Sequence, residues 1–192
     1  KVDCIYRRLD DNFLDPKTFF KGSLIGVPGL FKSWRKGNVG ILNAIGTGIA
    51  DDKVVYSYVN KMIVYYLGEQ PILNQVETYL CHDEIQKKYV IENISKLVVK
   101  PANASGGYGI MIGPKAPKEE REEVIKKIKK NPREYIAQPL ETLSTAPTIT
   151  KDDIEPRHLD LRPFILSGKS TYVTTGGLTR VALRKGSTIV NS

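Results

Sequence analysis

The sequence predicts an α/β chain that passes into an antiparallel sheet, an α+β organisation. Three observations carry that expectation. Residues 2–67 alternate strand-like and helix-like runs. Residues 97–113 read as a glycine-tipped β-hairpin. Residues 159–190 alternate apolar and polar positions between glycine turns, the period of half-buried strands.

Taken in order, Val2 to Tyr6 is a strand that ends at Arg7-Arg8-Leu9-Asp10-Asp11. Asp15-Pro16-Lys17 signals a helix start, with an N-cap and proline at the first helical position. Gly22 to Leu30 joins to a short helix over 31–35, and Val39 to Leu42 is a short buried strand. The glycine-bearing loop 43–53 leads to a helix over Val54 to Leu67. Strand, loop and helix in that order imply a Rossmann-like lobe. Ile85 to Ile94 fits a short helix followed by a strand. Lys96 to Lys100 is a strand, and Ile110 to Ile112 is its hairpin partner. Residues 119–130 form a charged helix, and Tyr135 to Leu140 a strand. Leu143 to Thr150, rich in Ser, Thr and Pro, reads as a loop. Leu159 to Leu166, Thr171 to Thr174, Leu178 to Leu183 and Thr188 to Val190 are strands, with turns at Gly168, Gly176-Gly177 and Gly186. No internal repeat is evident. The expected division is a Rossmann-like lobe over 1–84 and a second region over 85–192.

The chain has 192 residues and a net charge of +8. No apolar run approaches the roughly 20 residues of a membrane span, and charges at Asp3, Arg7, Arg8, Asp10 and Asp11 break any signal-peptide pattern. Cys4 and Cys81 stand far apart in no metal spacing, which predicts reduced thiols in a cytoplasmic protein. The basic balance does not predict a nucleic-acid partner. Many lysines fall in the 119–130 helix, acidic residues first and lysines last, as the helix dipole and i,i+4 pairing favour.

Four constellations carry chemistry. In Leu97-Val98-Val99-Lys100-Pro101-Ala102-Asn103-Ala104-Ser105-Gly106-Gly107-Tyr108-Gly109 a lysine precedes a loop with little side-chain cover. Bare amides plus a cation suit phosphate. In the G-x-x-x-x-G-K-[ST] loop the lysine follows the glycines, and the dinucleotide fingerprint needs a spacing that Gly107, Gly109 and Gly113 lack. What remains is a flap closing over a triphosphate, or an ordinary glycine hairpin with a surface lysine. Second, His158, Asp160 and Arg162 share one side of a strand, where a guanidinium can take two anion oxygens or pair with Asp160. Third, Arg180 lies in an apolar strand and requires an anion, a substrate or a protein carboxylate. Fourth, Asp51-Asp52-Lys53 marks a helix start; it is either a cap alone or a second phosphate-side cation with Asn43 and Asp52 nearby. Arg7 to Asp11 reads equally as cleft lining or as a charged loop. No metal-spaced His/Cys cluster and no Ser/His/Asp order stands out. Phosphoryl transfer can run on positioning and cations alone.

Taken together, residues 2–8, 43–53, 65–69, 97–101, 106–109, 136–138, 143–145, 156–164 and 176–183 resemble the circularly permuted ATP-grasp family, in its bacterial group related to glutathionylspermidine synthase. The resemblance runs over essentially the whole chain in the same order. It implies a pre-ATP-grasp lobe over 1–84 and nucleotide-binding lobes over 85–192, incomplete at the C-terminus. It implies ATP and Mg²⁺, and a ligase of the EC 6.3 type that joins a small-molecule or peptide carboxylate to an amine through an acyl phosphate. By this likeness Lys100 would hold the α/β-phosphates, and Ser105, Gly106, Gly107, Tyr108 and Gly109 would cover the β/γ-phosphates. Gln138, with the backbone near Ala137, would meet the adenine. Arg162 and Arg180 would neutralise the transferring phosphoryl group, and Lys53 would be a further cofactor-side cation. Metal ligands are expected outside residues 1–192, with Asn191 as the one terminal candidate, so the resemblance implies turnover only in a longer parent. The alternative is a non-catalytic module that binds a nucleotide or an anionic peptide.

Overall fold

The computed structural model describes residues 2–104, 107–151, 153–187 and 190. The chain divides into two compact units, Lys1–Pro139 and Leu140–Ser192. The architecture is mixed α/β with three sheets.

In the first unit, β1 (Cys4–Tyr6) and β2 (Gly40–Leu42) pair in parallel, with Ile5 beside Ile41. Between them in sequence lies α1 (Leu30–Arg35). Leu14, Leu30 and Ile41 form a small core here, joined by Ile5, Phe19, Trp34, Val39 and Ile45. The helix expected after Asp15 does not form. Residues 16–18 make a turn, and the Asp15 carboxylate instead takes the backbone N–H groups of Lys17 (2.9 Å), Gly29 (2.9 Å) and Phe31 (3.0 Å) and the Thr18 hydroxyl (3.3 Å). The sequence signal for a cap is sound, but the capped helix is α1, which begins fifteen residues later in the chain and whose own N-cap, Gly29, has no side chain to offer.

The larger sheet of this unit runs β3 (Tyr79–Leu80), β6 (Tyr135–Pro139), β4 (Leu97–Pro101), β5 (Met111–Ile112), all antiparallel. Three helices accompany it: α2 (Lys53–Leu67), α3 (Glu84–Glu92) and α4 (Lys118–Lys130). The strand period sorts side chains to two faces. Leu97 and Val99 of β4 and Ala137 of β6 join Val90 of α3 and Ile128 of α4 in the main core. Ile136 of β6 turns the other way and packs with Val54 of α2, Leu80 and Ala102. Of the short helix and strand expected over Ile85 to Ile94, only the helix forms, over Glu84–Glu92, because Asp83 caps it through the Gln86 N–H, and a helical turn over Ile94–Lys96 follows in place of the strand. A Cβ on Gly113, just past β5, would fall 1.9 Å from the Ile94 carbonyl oxygen, so only glycine closes the β4–β5 hairpin against that turn. On α4 the acid-first, lysine-last order gives a Glu123–Lys127 pair at 2.6 Å on a solvent-facing surface.

Cys81 is buried in the main core and Cys4 is exposed. Burial pushes the Cys81 thiol up to about 12, against the pull of Lys87. A chromogenic disulfide reagent is expected to titrate one thiol in the folded chain and two after denaturation. A second rapid reaction without denaturant would contradict this packing.

The second unit is a three-stranded antiparallel sheet, β7 (Thr145–Ile149), β8 (Ile154–Ser167) and β9 (Thr171–Val181). Two expectations are corrected here. Residues 145–149, read as loop, pair with β8 from His158 to Ile154. Thr and Ile serve a strand as well as a linker, and Pro147 is tolerated on the outer strand. The glycine turn expected at 176–177 is absent: β9 continues through it, with an irregularity in its pairing with β8 between Pro163 and Ile165. Neither glycine has a positive φ. Gly177 lies against β8 so closely that a Cβ would meet the Arg162 carbonyl oxygen at 2.9 Å. The residue is there for close approach rather than for reversal. Of the strand expected at Thr188 to Val190, the first two residues lie outside the described ones.

Candidate functional site

The face of the larger sheet on which Val54 of α2 packs also carries the polar groups. Val98 of β4 stands opposite Gln138 of β6, and Lys100 opposite Ile136. Lys100 and Gln138 are therefore diagonal neighbours on one face, a separation that long side chains span. The Lys100 ammonium donates to Gln138 Oε1 at 2.7 Å. The Gln138 amide donates in turn to the Thr78 hydroxyl at 2.8 Å, and that hydroxyl donates to the Val76 carbonyl at 3.0 Å.

Lys53 arrives on the same face from the first position of α2. Asp52 caps that helix by accepting the Val54 N–H at 2.7 Å. The Lys53 backbone N–H is held by the Ala102 carbonyl at 2.9 Å. Its ammonium reaches Ala104 O at 2.7 Å and Ala102 O at 3.5 Å. The end of β4 and the start of α2 are thus tied together, and the two ammonium groups sit in one electrostatic field. Burial lowers the Lys100 pKa, and the Lys53 charge lowers it further. Burial also lowers Lys53, against the pull of Asp52 and Asp51. Lys100 and Lys53 make no salt bridge among the described residues. Both ammonium groups hydrogen-bond to neutral oxygens, and Asp52 and Asp51 offset only part of the Lys53 charge, so positive charge is incompletely compensated in a half-buried place. An anion with several oxygens fits that deficit.

The hairpin tip follows directly. Gly107 and Gly109 adopt positive φ, 79° and 72°, and Tyr108 between them is exposed. Ser105, Gly106 and Asn191 lie outside the described residues. Ala137 is wholly buried within β6, with Val99 of β4 on one side and Tyr79 of β3 on the other. Among the described residues no three His, Cys, Asp or Glu side chains cluster so as to hold a metal ion.

Arg162 and Arg180 belong to the second unit. Arg180 of β9 faces Asp160 of β8. Its Nε lies 3.0 Å from both carboxylate oxygens, and a terminal nitrogen also bonds Oδ2. That pairing holds the Asp160 carboxyl below its ordinary range. Arg162 is exposed two residues further along β8, and its charge adds to the pull on Asp160. The imidazole of His158 is fixed through Nδ1 to the Leu143 carbonyl at 2.8 Å.

Three contributors escape a sequence reading. Thr78 belongs to no motif, and its part shows only once β3 is seen beside β6. Asp15 carries a cap signal that points to the wrong helix. Arg7, equally readable as cleft or loop, is buried and donates to the carbonyls of Asn43, Ala44 (2.7 Å) and Leu9 (2.7 Å), with Asp11 at 2.6 Å. Asn43 answers by donating to the Arg7 carbonyl at 3.0 Å, with φ at 60°. Arg7 and Asn43 therefore order the loop that precedes α2.

The profile described as circularly permuted ATP-grasp type 2 matches residues 1–182. An uncharacterized protein of Synechocystis sp. is 55% identical over the whole chain, which covers 40% of that protein. An uncharacterized protein of Mycobacterium tuberculosis is 50% identical over the whole chain, covering 35% of it. A protein of Frankia casuarinae with the provisional name glutamate–cysteine ligase 2-2 is 46% identical over the whole chain, covering 22% of it. The chain thus spans 40% or less of the length of these relatives. No helix among the described residues is long and apolar enough to cross a membrane.

Proposed function

The chain belongs to the circularly permuted ATP-grasp type 2 family, and on that premise we propose that it supplies the polyphosphate-binding face of an ATP-dependent carboxylate–amine ligase. The observation that carries this reading is the pair of half-buried ammonium groups, Lys53 and Lys100, on one sheet face, hydrogen-bonded to neutral oxygens among the described residues. Each is electrostatically dissatisfied, and a phosphate chain relieves both at once.

In this reading Lys100 holds the α/β-phosphates and Lys53 adds a second cation. The loop Ser105, Gly106, Gly107, Tyr108 and Gly109 covers the β/γ-phosphates with backbone N–H groups. Gln138 and the backbone at Ala137 lie toward the adenine. Arg162 and Arg180 neutralise the transferring phosphoryl group, with Asp160 keeping the Arg180 fork oriented. Residues 1–84 serve as the pre-ATP-grasp lobe and 85–192 as the nucleotide-binding lobes. Mg²⁺, held by residues beyond this segment, supplies charge neutralisation on the phosphates. In the proposed reaction a carboxylate oxygen takes the γ-phosphoryl group with ADP leaving, and an amine then displaces phosphate to form the amide.

The test is ADP release by the intact longer protein across a panel of carboxylates and amines. Glutamate with cysteine heads the panel on the name of the Frankia relative, although this chain matches only 22% of that protein. Small peptide acids with polyamines follow. Release that requires ATP, one acid and one amine together is the expected outcome. ATP binding with no release for any pair would favour a non-catalytic nucleotide-binding module, and no ATP binding would end the reading altogether.

A further inference from the structure

Lys100, Gln138, Thr78 and Val76 form a single hydrogen-bonded line. Its direction is set at both ends. A lysine ammonium only donates, so the Gln138 atom 2.7 Å from it must be the amide oxygen. The Thr78 hydroxyl proton is already given to the Val76 carbonyl at 3.0 Å, so toward Gln138 that hydroxyl can only accept. One orientation of the Gln138 amide satisfies both demands, and the reversed one satisfies neither. Gln138 is itself buried, so an unmet amide group here would be costly.

We propose that Thr78 is a positioning residue: by accepting the Gln138 amide N–H it fixes the amide oxygen toward Lys100 and so holds that ammonium on the anion-binding face. This rests on the polyphosphate reading above. Thr78 is half-buried at the approach to the edge strand β3. The line uses the Thr78 hydroxyl and not its methyl group. Serine should therefore serve and valine should not. With Thr78→Val the amide NH₂ loses its acceptor, so Gln138 is held only at its Lys100 end. The amide then leaves that position for part of the time, and Lys100 loses its acceptor.

The experiment uses the intact protein labelled with ¹³C at lysine Cε, the Lys100 signal being identified by its loss in Lys100→Arg. Two quantities are read in wild type, Thr78→Val and Thr78→Ser: the titration midpoint of the Lys100 ammonium without ligand, and the dissociation constant of ADP. Thr78→Val is expected to lower the midpoint and to weaken ADP binding by about two- to tenfold, the worth of one net hydrogen bond. Thr78→Ser is expected to restore both. Thr78→Ala, which also lacks the hydroxyl but is smaller, replaces the valine variant if that one fails to fold. An unchanged midpoint in the hydroxyl-less variants overturns the proposal, as does a serine variant no better than valine. A midpoint that follows Thr78 in a protein that binds no ADP upholds the positioning role and removes the nucleotide reading. ADP binding with a midpoint indifferent to Thr78 does the reverse.

Discussion

Replacing Lys100 by alanine in the intact protein is expected to weaken ATP binding by about 1.5–3 kcal/mol, roughly one to two decades in Kd, the range of a lost charge-assisted hydrogen bond. The expectation has two sources. The ammonium is already held on the anion face by Gln138, so little ordering is left to do on binding. It is also poorly compensated before binding, since burial and the Lys53 charge both disfavour its protonated form. A polyphosphate reverses that penalty and raises the depressed value. ATP binding should therefore take up a proton on the alkaline side, between the depressed value and the ordinary lysine value. Isothermal titration in buffers of different ionisation enthalpy reads both effects. Unchanged affinity in Lys100→Ala, or uptake undiminished without Lys100, would take the residue out of the site.

The largest expected loss of stability lies away from that face. Asp15→Ala strips the partner from three backbone N–H groups and one hydroxyl around a fully buried carboxylate. At about 1–3 kcal/mol for each buried group left unmet, partly recovered by water, the total is on the order of 3–5 kcal/mol. Asp15→Asn keeps one acceptor oxygen and should lose less. The pH dependence has a definite sign. Burial works to raise this carboxyl, but the bonds from Gly29, Lys17, Phe31 and Thr18 outweigh it and hold the folded value below the ordinary one. Its contribution is present above the ordinary carboxylate pKa and fades as pH falls through the lower folded value. Urea midpoints measured from neutral to acid pH should decline with a slope that Asp15→Asn reduces. An equal slope in both proteins would mean that other carboxylates carry the acid sensitivity.

Periodicity made most of the fold legible. The run Leu97-Val98-Val99 reads as a strand because both faces of β4 are buried there, Leu97 and Val99 in the main core and Val98 on the opposite face. The order of acids and lysines in 119–130 reads as a solvent-facing helix for the same local reason. Legibility fails where the deciding partner is distant in sequence. Asp15 is a cap to any local reading, but its helix starts at Leu30. Gly176-Gly177 is a turn to any local reading, but Gly177 answers to the Arg162 backbone on the neighbouring strand. The candidate site divides in the same way. Lys100 announces itself through the loop that follows it. Lys53 is a helix-start lysine until the Ala102 and Ala104 carbonyls are seen around it. Arg180 reads equally as an anion contact or an ion pair until Asp160 is found opposite. Thr78 is silent, because a lone hydroxyl gains meaning only from the amide across the sheet.

The Arg7 clamp has a wider meaning for how this chain can be taken apart. The guanidinium claims the carbonyls of Asn43 and Ala44, 36 and 37 positions later, on the path that leads into the helix beginning at Lys53. At its far end that helix start is fastened to Ala102. The ammonium at position 53 is thus surveyed from two benchmarks, one near each end of the first unit. A deletion that spared every group on the anion face but removed residue 7 would leave that cation anchored at one side only.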